Sequence, residues 1–239
     1  MKMTARLFGV AVVCSLMAFS VLAQNNSTAL DPIPRPDEWW TKRHAEKCDL
    51  MQQGDVNLLM IGDSITHGWE DQQPIWDKFY ASRKILNLGF SGDRTEHVLW
   101  RLLNSPLDAI SPKAATIMIG TNNMGAKTCT PQEAAVGIQA IVDLLQKQYP
   151  DIKIFVLYVF PRDNKPDGVL RLQTEQINSL LPGLLGDYKN VTLIDINHKF
   201  LDANGVLEPY IMPDFLHPNT YGYVLWGEAV EPFLKPIFD

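Results

Sequence analysis

The sequence predicts an α/β protein: a flavodoxin-like three-layer sandwich in which helices cover both faces of a five-stranded parallel sheet. The first observation behind this prediction is the alternation of five short apolar runs with longer amphipathic segments along the chain. Strands that alternate with helices form right-handed βαβ units, and the strands of such units are parallel. The second observation is size, since 239 residues, 46% of them hydrophobic, suit one large domain better than two small ones.

Hydrophobic runs and periodicity place the individual elements. The predicted strands cover residues 56–61, 84–88, 115–119, 152–159 and 191–194. Helical periodicity predicts helices over residues 95–103, 131–148, 169–185 and 221–234. Pro131 suits the first turn of its helix, and Thr130 is placed to act as the N-cap. Ligands of open parallel sheets bind beyond the carboxyl ends of the strands, so a functional site is expected at that edge.

The N-terminus has the pattern of an export signal. Lys2 and Arg6 precede an apolar run, and the run ends in small residues at Ala23. This predicts a signal peptide over residues 1–23 and a mature chain that is secreted or periplasmic, with no membrane span after cleavage. A lipoprotein anchor at Cys14 is the alternative, although the bulky residue before it disfavours that processing.

The mature chain divides into an arm and a domain. Prolines make residues 24–45 look extended, and residues 46–239 form the predicted domain. Cleavage of the signal removes two basic residues and no acidic one, so the formal charge changes from −6 to −8. A negative surface argues against nucleic acid and anionic membranes as partners, and it leaves small neutral or esterified substrates open.

Two cysteines remain after cleavage, Cys48 and Cys129. In an oxidising compartment they either pair or stay separate thiols, and the sequence alone supplies no Cα distance to decide between these. His44 lies one helical turn before Cys48, but two ligands without a second pair do not make a zinc site. No glycine-rich phosphate loop is present, and no metal or organic cofactor is expected.

A serine follows the first predicted strand within the motif Ile-Gly-Asp-Ser-Ile at residues 61–65. The glycine permits a tight turn that presents Ser64 at the carboxyl edge of the sheet. Two interpretations are open on this motif alone: Ser64 is a nucleophile, or it caps the helix that follows.

Three more polar segments fall at carboxyl ends of predicted strands. They span residues 87–95, 120–123 and 214–219. The carboxyl ends of parallel strands meet at one edge, where unrelated helix caps would have no reason to converge. The convergence therefore favours the catalytic interpretation of the serine.

In this order the four segments resemble the four sequence blocks of SGNH (GDSL-type) serine hydrolases, over residues 56 to about 230. The stretches Gly-Asp-Ser at 62–64, Gly-Asp-Arg-Thr at 92–95 and Gly-Thr-Asn-Asn at 120–123 are most similar to bacterial esterases of the platelet-activating-factor acetylhydrolase type. The sequence departs from the family pattern in two ways. Ile65 stands where the first block of the family has leucine, and the predicted signal peptide is not found in the intracellular members of the family. The resemblance implies the SGNH hydrolase fold and a carboxylic ester hydrolase.

The resemblance also implies a role for each site residue. Ser64 is the nucleophile, His217 is the base that takes its proton, and Asp214 orients the imidazole. The backbone N–H groups of Ser64 and Gly92 and the side-chain amide of Asn122 form the oxyanion hole.

Three assignments keep an alternative. Asp195 and His198 have the same spacing as the preferred pair, and only the Pro-Asn that follows His217, as in the last family block, separates them. Trp69 either lines the substrate pocket or packs the first helix. His67 lies too close to Ser64 along the chain to serve it as base, and it is expected at the rim of the site or in a structural role.

The resemblance implies hydrolysis of a short-chain ester, chiefly an acetyl ester, through an acyl-serine intermediate. Together with export it suggests acetylated carbohydrate, so the expected partner is a small-molecule or polysaccharide ester. A longer-chain lipid esterase or thioesterase is the enzymatic alternative. A non-catalytic glycan- or lipid-binding module is the other, and the complete set of nucleophile, base and oxyanion donors argues against it. The oligomeric state is left open.

Overall fold

The computed structural model describes residues 28–238 of the chain. The predicted signal peptide, residues 1–23, and the start of the predicted arm, residues 24–27, lie outside the described residues. Five strands within that range form a parallel sheet in the order β2-β1-β3-β4-β5, which confirms the predicted fold class. The strands are β1 (Leu58–Gly62), β2 (Ile85–Gly89), β3 (Ala114–Met118), β4 (Lys153–Leu157) and β5 (Val191–Ile194).

Eight α-helices are described between residues 28 and 238. They are α1 (Glu38–Gln52), α2 (Ser64–His67), α3 (Gln73–Tyr80), α4 (Thr95–Leu103), α5 (Thr121–Gly125), α6 (Pro131–Gln148), α7 (Val169–Leu185) and α8 (Thr220–Phe238). Helices α4, α6 and α7 have the predicted bounds, and α8 is longer than predicted. The Thr130 hydroxyl accepts a hydrogen bond from the Glu133 N–H, so its predicted role as N-cap of α6 is confirmed.

The two faces of the sheet bury separate apolar clusters. Leu59 and Ile61 of β1 pack on one face with helices α4, α6 and α7. Leu58 and Met60 point to the other face, where they pack with α3 and α8. Side chains alternate across a strand, so a strand that is apolar at every position must be covered on both sides. This is why β1 lies in the centre of the sheet.

The strand order contains the point at which a ligand crevice is expected. The chain leaves β1 for β2 on one side and then crosses back to β3 on the other side of β1. The connections that follow β1 and β3 therefore diverge and leave a crevice beyond the carboxyl ends of these strands. Ser64 follows β1 directly and Asn122 follows β3, so both lie at this crevice.

The N-terminal segment packs against the domain before α1 begins. The Thr95 hydroxyl donates to the carbonyl oxygen of Ala29 at 3.1 Å. Helix α1 starts at Glu38, so the expected boundary at residue 45 falls inside a helix. Trp40 in its first turn is fully buried. The arm is therefore a docked part of the structure from its first described residues.

The two cysteines for which a disulfide was an open alternative are separate thiols. Cys48 and Cys129 are both free and partly buried. Burial raises the pKa of each thiol above its ordinary value, which disfavours the reactive thiolate. Of the helices described, none combines the length and the apolar character that crossing a bilayer requires.

Candidate active site

Ser64 is the first residue of α2 and is presented by a tight turn after β1. The carboxylate of Asp63 accepts a hydrogen bond from the Ile65 N–H at 3.0 Å, so Asp63 caps the helix. The Ser64 hydroxyl is not the cap and is available to another partner. A Cβ on Gly62 would lie 2.6 Å from the carbonyl oxygen of Met118, so the turn requires glycine there.

Three side chains from two distant parts of the chain form a hydrogen-bonded series. The Ser64 Oγ lies 2.8 Å from His217 Nε2, and His217 Nδ1 lies 2.6 Å from Asp214 Oδ2. A carboxylate accepts only, so Nδ1 must carry the ring proton and Nε2 is left as the acceptor for the serine O–H. This is the protonation pattern that a general base needs.

The loop that carries Asp214 and His217 is stabilised by hydrogen bonds within it. Asp214 Oδ1 accepts from the N–H groups of Leu216 and His217, at 3.1 and 2.7 Å. Phe215 adopts a left-handed conformation, with φ of 57°, and its carbonyl oxygen accepts from the Asp163 N–H. Partial burial would raise the pKa of Asp214, but the hydrogen bonds from His217 outweigh it and hold that pKa below its ordinary value. The carboxylate is therefore charged at neutral pH.

The segment after β2 forms a turn next to this series. The Asp93 N–H donates to the Phe90 carbonyl oxygen at 3.0 Å, and Gly92 has φ of +80°. A positive φ at the third position is the mark of a type II turn. Asn122 Nδ2 donates to the Asp93 carbonyl oxygen at 3.0 Å. This contact uses one of the two N–H bonds of the amide and leaves the second to donate elsewhere.

A cleft of about 350 Å³ opens at this edge of the sheet. Most of the side chains around it are polar. Their carbon atoms, together with Pro218 and the ring of Tyr223, make the exposed lining about as apolar as it is polar. Its walls are formed by Ser64, His67, Gly68, Asp71, Gln72, Ser91, His217, Pro218 and Tyr223.

His67 lies at the rim of the cleft, as expected from the sequence. Its Nδ1 is 3.0 Å from the Ser91 Oγ, so it contacts the Gly92 turn rather than the Ser64 hydroxyl. Burial and the nearby Arg43 lower the pKa of His67 below its ordinary value. The ring is therefore neutral at pH 7 and is able to hydrogen-bond without bringing a charge into the cleft.

Two residues near Ser64 have properties that were not predicted from the sequence. Asp63 is fully buried, and burial raises its pKa to about 7. Among the described residues, its Oδ2 has no hydrogen-bond partner. Arg162, in the segment after β4, donates to the Thr121 carbonyl oxygen at 2.9 Å, and its charge acts on both Asp63 and Asp214. Asp63 belongs to the Gly-Asp-Ser motif, but the motif does not reveal its burial, and Arg162 belongs to none of the four segments.

Trp69 is not placed to contact a substrate. It is completely buried and is absent from the walls of the cleft, because it lies in an aromatic cluster between the sheet and helices α3 and α8. The packing interpretation is the one the structure supports. Its ring neighbours, at centroid distances of 4.8 to 6.3 Å, are Trp76, Tyr80, Tyr223 and Trp226.

The second Asp-x-x-His pair lies apart from Ser64. Asp195 Oδ1 accepts from the Asn197 N–H at 2.9 Å, at the start of a short 3-10 helix. Asp195 and His198 line another cavity, near α7, whose walls do not include Ser64. Position in the fold therefore separates two pairs that spacing alone could not.

Between residues 28 and 238, no three or more His, Cys, Asp or Glu side chains are grouped so as to hold a metal ion. His44 and Cys48 do approach each other, with the Sγ 3.7 Å from Nε2.

The chain is similar to known proteins along most of its length. A model of the GDSL-like Lipase/Acylhydrolase family matches residues 60–225, a range that contains every candidate catalytic and oxyanion residue. The platelet-activating factor acetylhydrolase IB subunit alpha2 of Gallus gallus is 35% identical over 211 residues, covering 88% of this chain and 86% of that protein.

Solved structures share the fold. A GDSL-like lipase from Bacteroides thetaiotaomicron has a TM-score of 0.70 at 20% identity, and covers 82% of this chain and 97% of its own. An acetylxylan esterase from Geobacillus stearothermophilus has a TM-score of 0.60 at 18% identity, and covers 77% of this chain and 94% of its own. At these identities the likeness concerns the fold alone.

Proposed function

Because the chain belongs to the GDSL-like lipase/acylhydrolase family, and is thus a carboxylic ester hydrolase of the SGNH type, we propose that it removes acetyl groups from carbohydrate through an acyl-serine intermediate. The observation that carries this proposal is the hydrogen-bonded series of Ser64, His217 and Asp214 beside a small cleft. A binding module would have no need of a nucleophile matched to a base.

In the first half of the reaction, the Ser64 Oγ attacks the ester carbonyl carbon and its proton passes to His217 Nε2. The imidazolium that forms is stabilised by Asp214, whose carboxylate accepts from Nδ1. The tetrahedral intermediate then collapses, and Nε2 returns the proton to the leaving alcohol oxygen. An acetyl-serine remains, and a water molecule repeats the sequence to release acetate and restore Ser64.

The negative charge on the tetrahedral oxygen needs donors that are already in place. We assign this role to the N–H groups of Ser64 and Gly92 and to the second N–H bond of the Asn122 amide. The hydrogen bond from Asn122 to the Asp93 carbonyl oxygen ties the last two donors together, since Asp93 follows Gly92 directly. Donors that are fixed before the substrate arrives need no reorganisation during the reaction.

The cleft supports a small acyl group on a hydroxyl-rich alcohol. The cleft of about 350 Å³ is small for a long acyl chain, and its walls carry the imidazole of His67, the carboxylate of Asp71, the amide of Gln72 and the hydroxyl of Ser91. These groups match the donors and acceptors of a sugar. The fold is shared with an acetylxylan esterase, and the relative from Gallus gallus is an acetylhydrolase.

The proposed place of action is outside the cytoplasm, either in the periplasm or in the medium. It rests on the export signal that the sequence predicts over residues 1–23. Polymeric carbohydrate is most accessible there to an enzyme whose cleft is open to solvent.

The test is hydrolysis of nitrophenyl acetate, butyrate and octanoate by the mature chain, followed by release of acetate from acetylated xylan. Activity should be greatest on the acetyl ester, and Ser64→Ala should lower kcat by about 10⁴-fold or more. His217→Ala should have a comparable effect, and His198→Ala, its matched control on the other Asp-x-x-His pair, should retain activity.

Each contrary result has a distinct meaning. Faster hydrolysis of octanoate than of acetate would replace the acetylesterase with a longer-chain lipid esterase. An inactive chain that fluorophosphonate does not label at Ser64 would favour a binding module. Near-normal turnover in Ser64→Ala would refute the assignment of the nucleophile.

A further inference from the structure

We propose that Arg35 is a positioning residue for the oxyanion hole. Its guanidinium holds the peptide group between Ser91 and Gly92 in the orientation that presents the Gly92 N–H to the reacting carbonyl oxygen. The catalytic part of this inference rests on the proposed function, through the role assigned to Gly92. The anchoring part rests on contacts alone.

Arg35 reaches the turn from the segment that precedes α1. Its Nη1 donates to the Ser91 carbonyl oxygen at 2.6 Å, across 56 positions of sequence. The guanidinium is itself held in place, because Nε donates to Asp37 Oδ2 at 3.0 Å and the cation lies 5.3 Å from the centre of the Trp39 ring. The side chain is only 21% exposed. A donor that is fixed in this way can fix its acceptor.

The contacted carbonyl belongs to the peptide group that carries one of the proposed oxyanion donors. In a trans peptide the C=O and N–H bonds point in opposite directions. The Ser91 carbonyl and the Gly92 N–H share this peptide, so holding the oxygen against Arg35 directs the N–H away from it. A Cβ on Gly92 would come within 2.8 Å of Arg35 Nη1, which shows how closely the guanidinium approaches the turn.

The turn has an alternative that Arg35 disfavours. Rotation of the middle peptide of a type II turn converts it into a type I turn and reverses the direction of the N–H. The ends of the turn do not prevent this, because the Asp93 N–H to Phe90 bond is common to both forms. Asp93 is further anchored by Trp40 Nε1 and Arg101 Nε, which hold its carboxylate and not the middle peptide. Arg35, in contrast, binds the carbonyl oxygen of Ser91, which belongs to the peptide that would rotate.

The positive charge has a second effect on the same peptide. A cation that donates to a carbonyl oxygen draws electron density from the amide and strengthens its N–H as a donor. The effect is larger on the tetrahedral oxyanion than on the neutral ester, because the oxyanion is the more charged acceptor. Loss of Arg35 should therefore lower kcat more than it raises KM.

The experiment compares Arg35→Met with Arg43→Met in the full mature chain. Arg43 is a matched control, because its Nε donates to another backbone carbonyl, that of Gly89, and it also lies against an aromatic ring. Arg35→Met should lower kcat on nitrophenyl acetate about 10- to 100-fold, less than the loss of a complete donor, with KM changed less than threefold. A methyl trifluoromethyl ketone, which forms an adduct with serine that resembles the tetrahedral intermediate, should bind to Arg35→Met more weakly by a similar factor. Free guanidinium added to Arg35→Ala should restore part of the rate.

Backbone amide exchange tests the anchoring without reference to catalysis. Exchange across residues 91–93 should become faster in Arg35→Met and stay unchanged in Arg43→Met, because the contacts of Arg43 are with the Gly89 carbonyl oxygen and the Phe90 ring. Unchanged exchange would overturn the proposal, whether or not the chain hydrolyses esters. If the wild type is active and Arg35→Met has the same kcat, the proposal for Arg35 is overturned and the proposed function is left intact. If the wild type proves inactive, the proposed function fails and faster exchange still supports the anchoring by Arg35.

Discussion

The substitution Asp214→Asn separates the charge of this residue from its shape. Asp214 Oδ1 accepts from two backbone N–H groups, those of Leu216 and His217. An asparagine would keep its carbonyl oxygen on these two donors, so its NH₂ group must face His217 Nδ1. The amide then donates to Nδ1, and the ring proton moves to Nε2. In that tautomer the histidine cannot accept the proton of Ser64.

The expected loss follows from this change of tautomer. An Asp to Asn change that leaves the geometry intact lowers kcat by about 10³–10⁴-fold in a serine–histidine–aspartate system. The stability should change little, by about 0.5 kcal/mol, because the Asp214 side chain is 56% exposed and the loop bonds to Oδ1 are kept. The predicted phenotype is thus a folded and nearly inactive protein.

Initial rates on nitrophenyl acetate and thermal unfolding of the same preparations measure both quantities. Asp195→Asn is the matched control, and it should have normal activity. Asp214→Ala provides a sharper comparison, since it removes the misdirected donor and leaves Nδ1 to water. We expect Asp214→Asn to be at least as impaired as Asp214→Ala. An asparagine variant that is clearly more active than the alanine variant would refute the tautomer argument.

Two further predictions concern residues beside the nucleophile. Asn122→Ala should lower kcat by about 10²–10³-fold with little change in KM, as the loss of one oxyanion donor does, and a loss below tenfold would remove Asn122 from the hole. Asp63→Asn should stabilise the protein at alkaline relative to acidic pH. The folded pKa of Asp63 is raised from 3.8 to about 7, so its contribution to the stability of the wild type is complete below pH 4 and is lost as the pH rises through 7. The melting temperature of the variant minus that of the wild type should increase from pH 4 to pH 8, and a constant difference would contradict the raised pKa.

The regular elements could be predicted where a single period dominates. Helices α4, α6 and α7 have one continuous apolar face, and their bounds follow from it. Helix α1 could not be predicted in this way, because only Trp40 and Met51 of its fifteen residues are buried and its apolar face is narrow. The prolines before α1 also indicated an extended arm, which was predicted to continue to residue 45, past the actual start of the helix at Glu38.

The candidate site shows the same division. Ser64, Asn122 and His217 each follow a strand, so the sheet brings them to one edge and their order in the chain was sufficient to find them. Their chemical roles stay predictions. Arg35 lies 56 residues from its partner and has no motif of its own, so only the folded structure reveals its contact. The same is true of Trp69, whose burial depends on rings from helices far along the chain.

The site joins two segments that lie far apart in the sequence. Ser64 and His217 are 153 residues apart, and the Tyr223 hydroxyl of α8 donates to the Ile65 carbonyl oxygen at 2.7 Å. With Arg35 contributed from before α1, the site draws on residues from 35 to 223. A fragment that lacks either the segment with Ser64 or the segment with Asp214 and His217 cannot assemble the series, so ester hydrolysis requires both segments. Two separately expressed fragments that regain activity on mixing would then report their association directly.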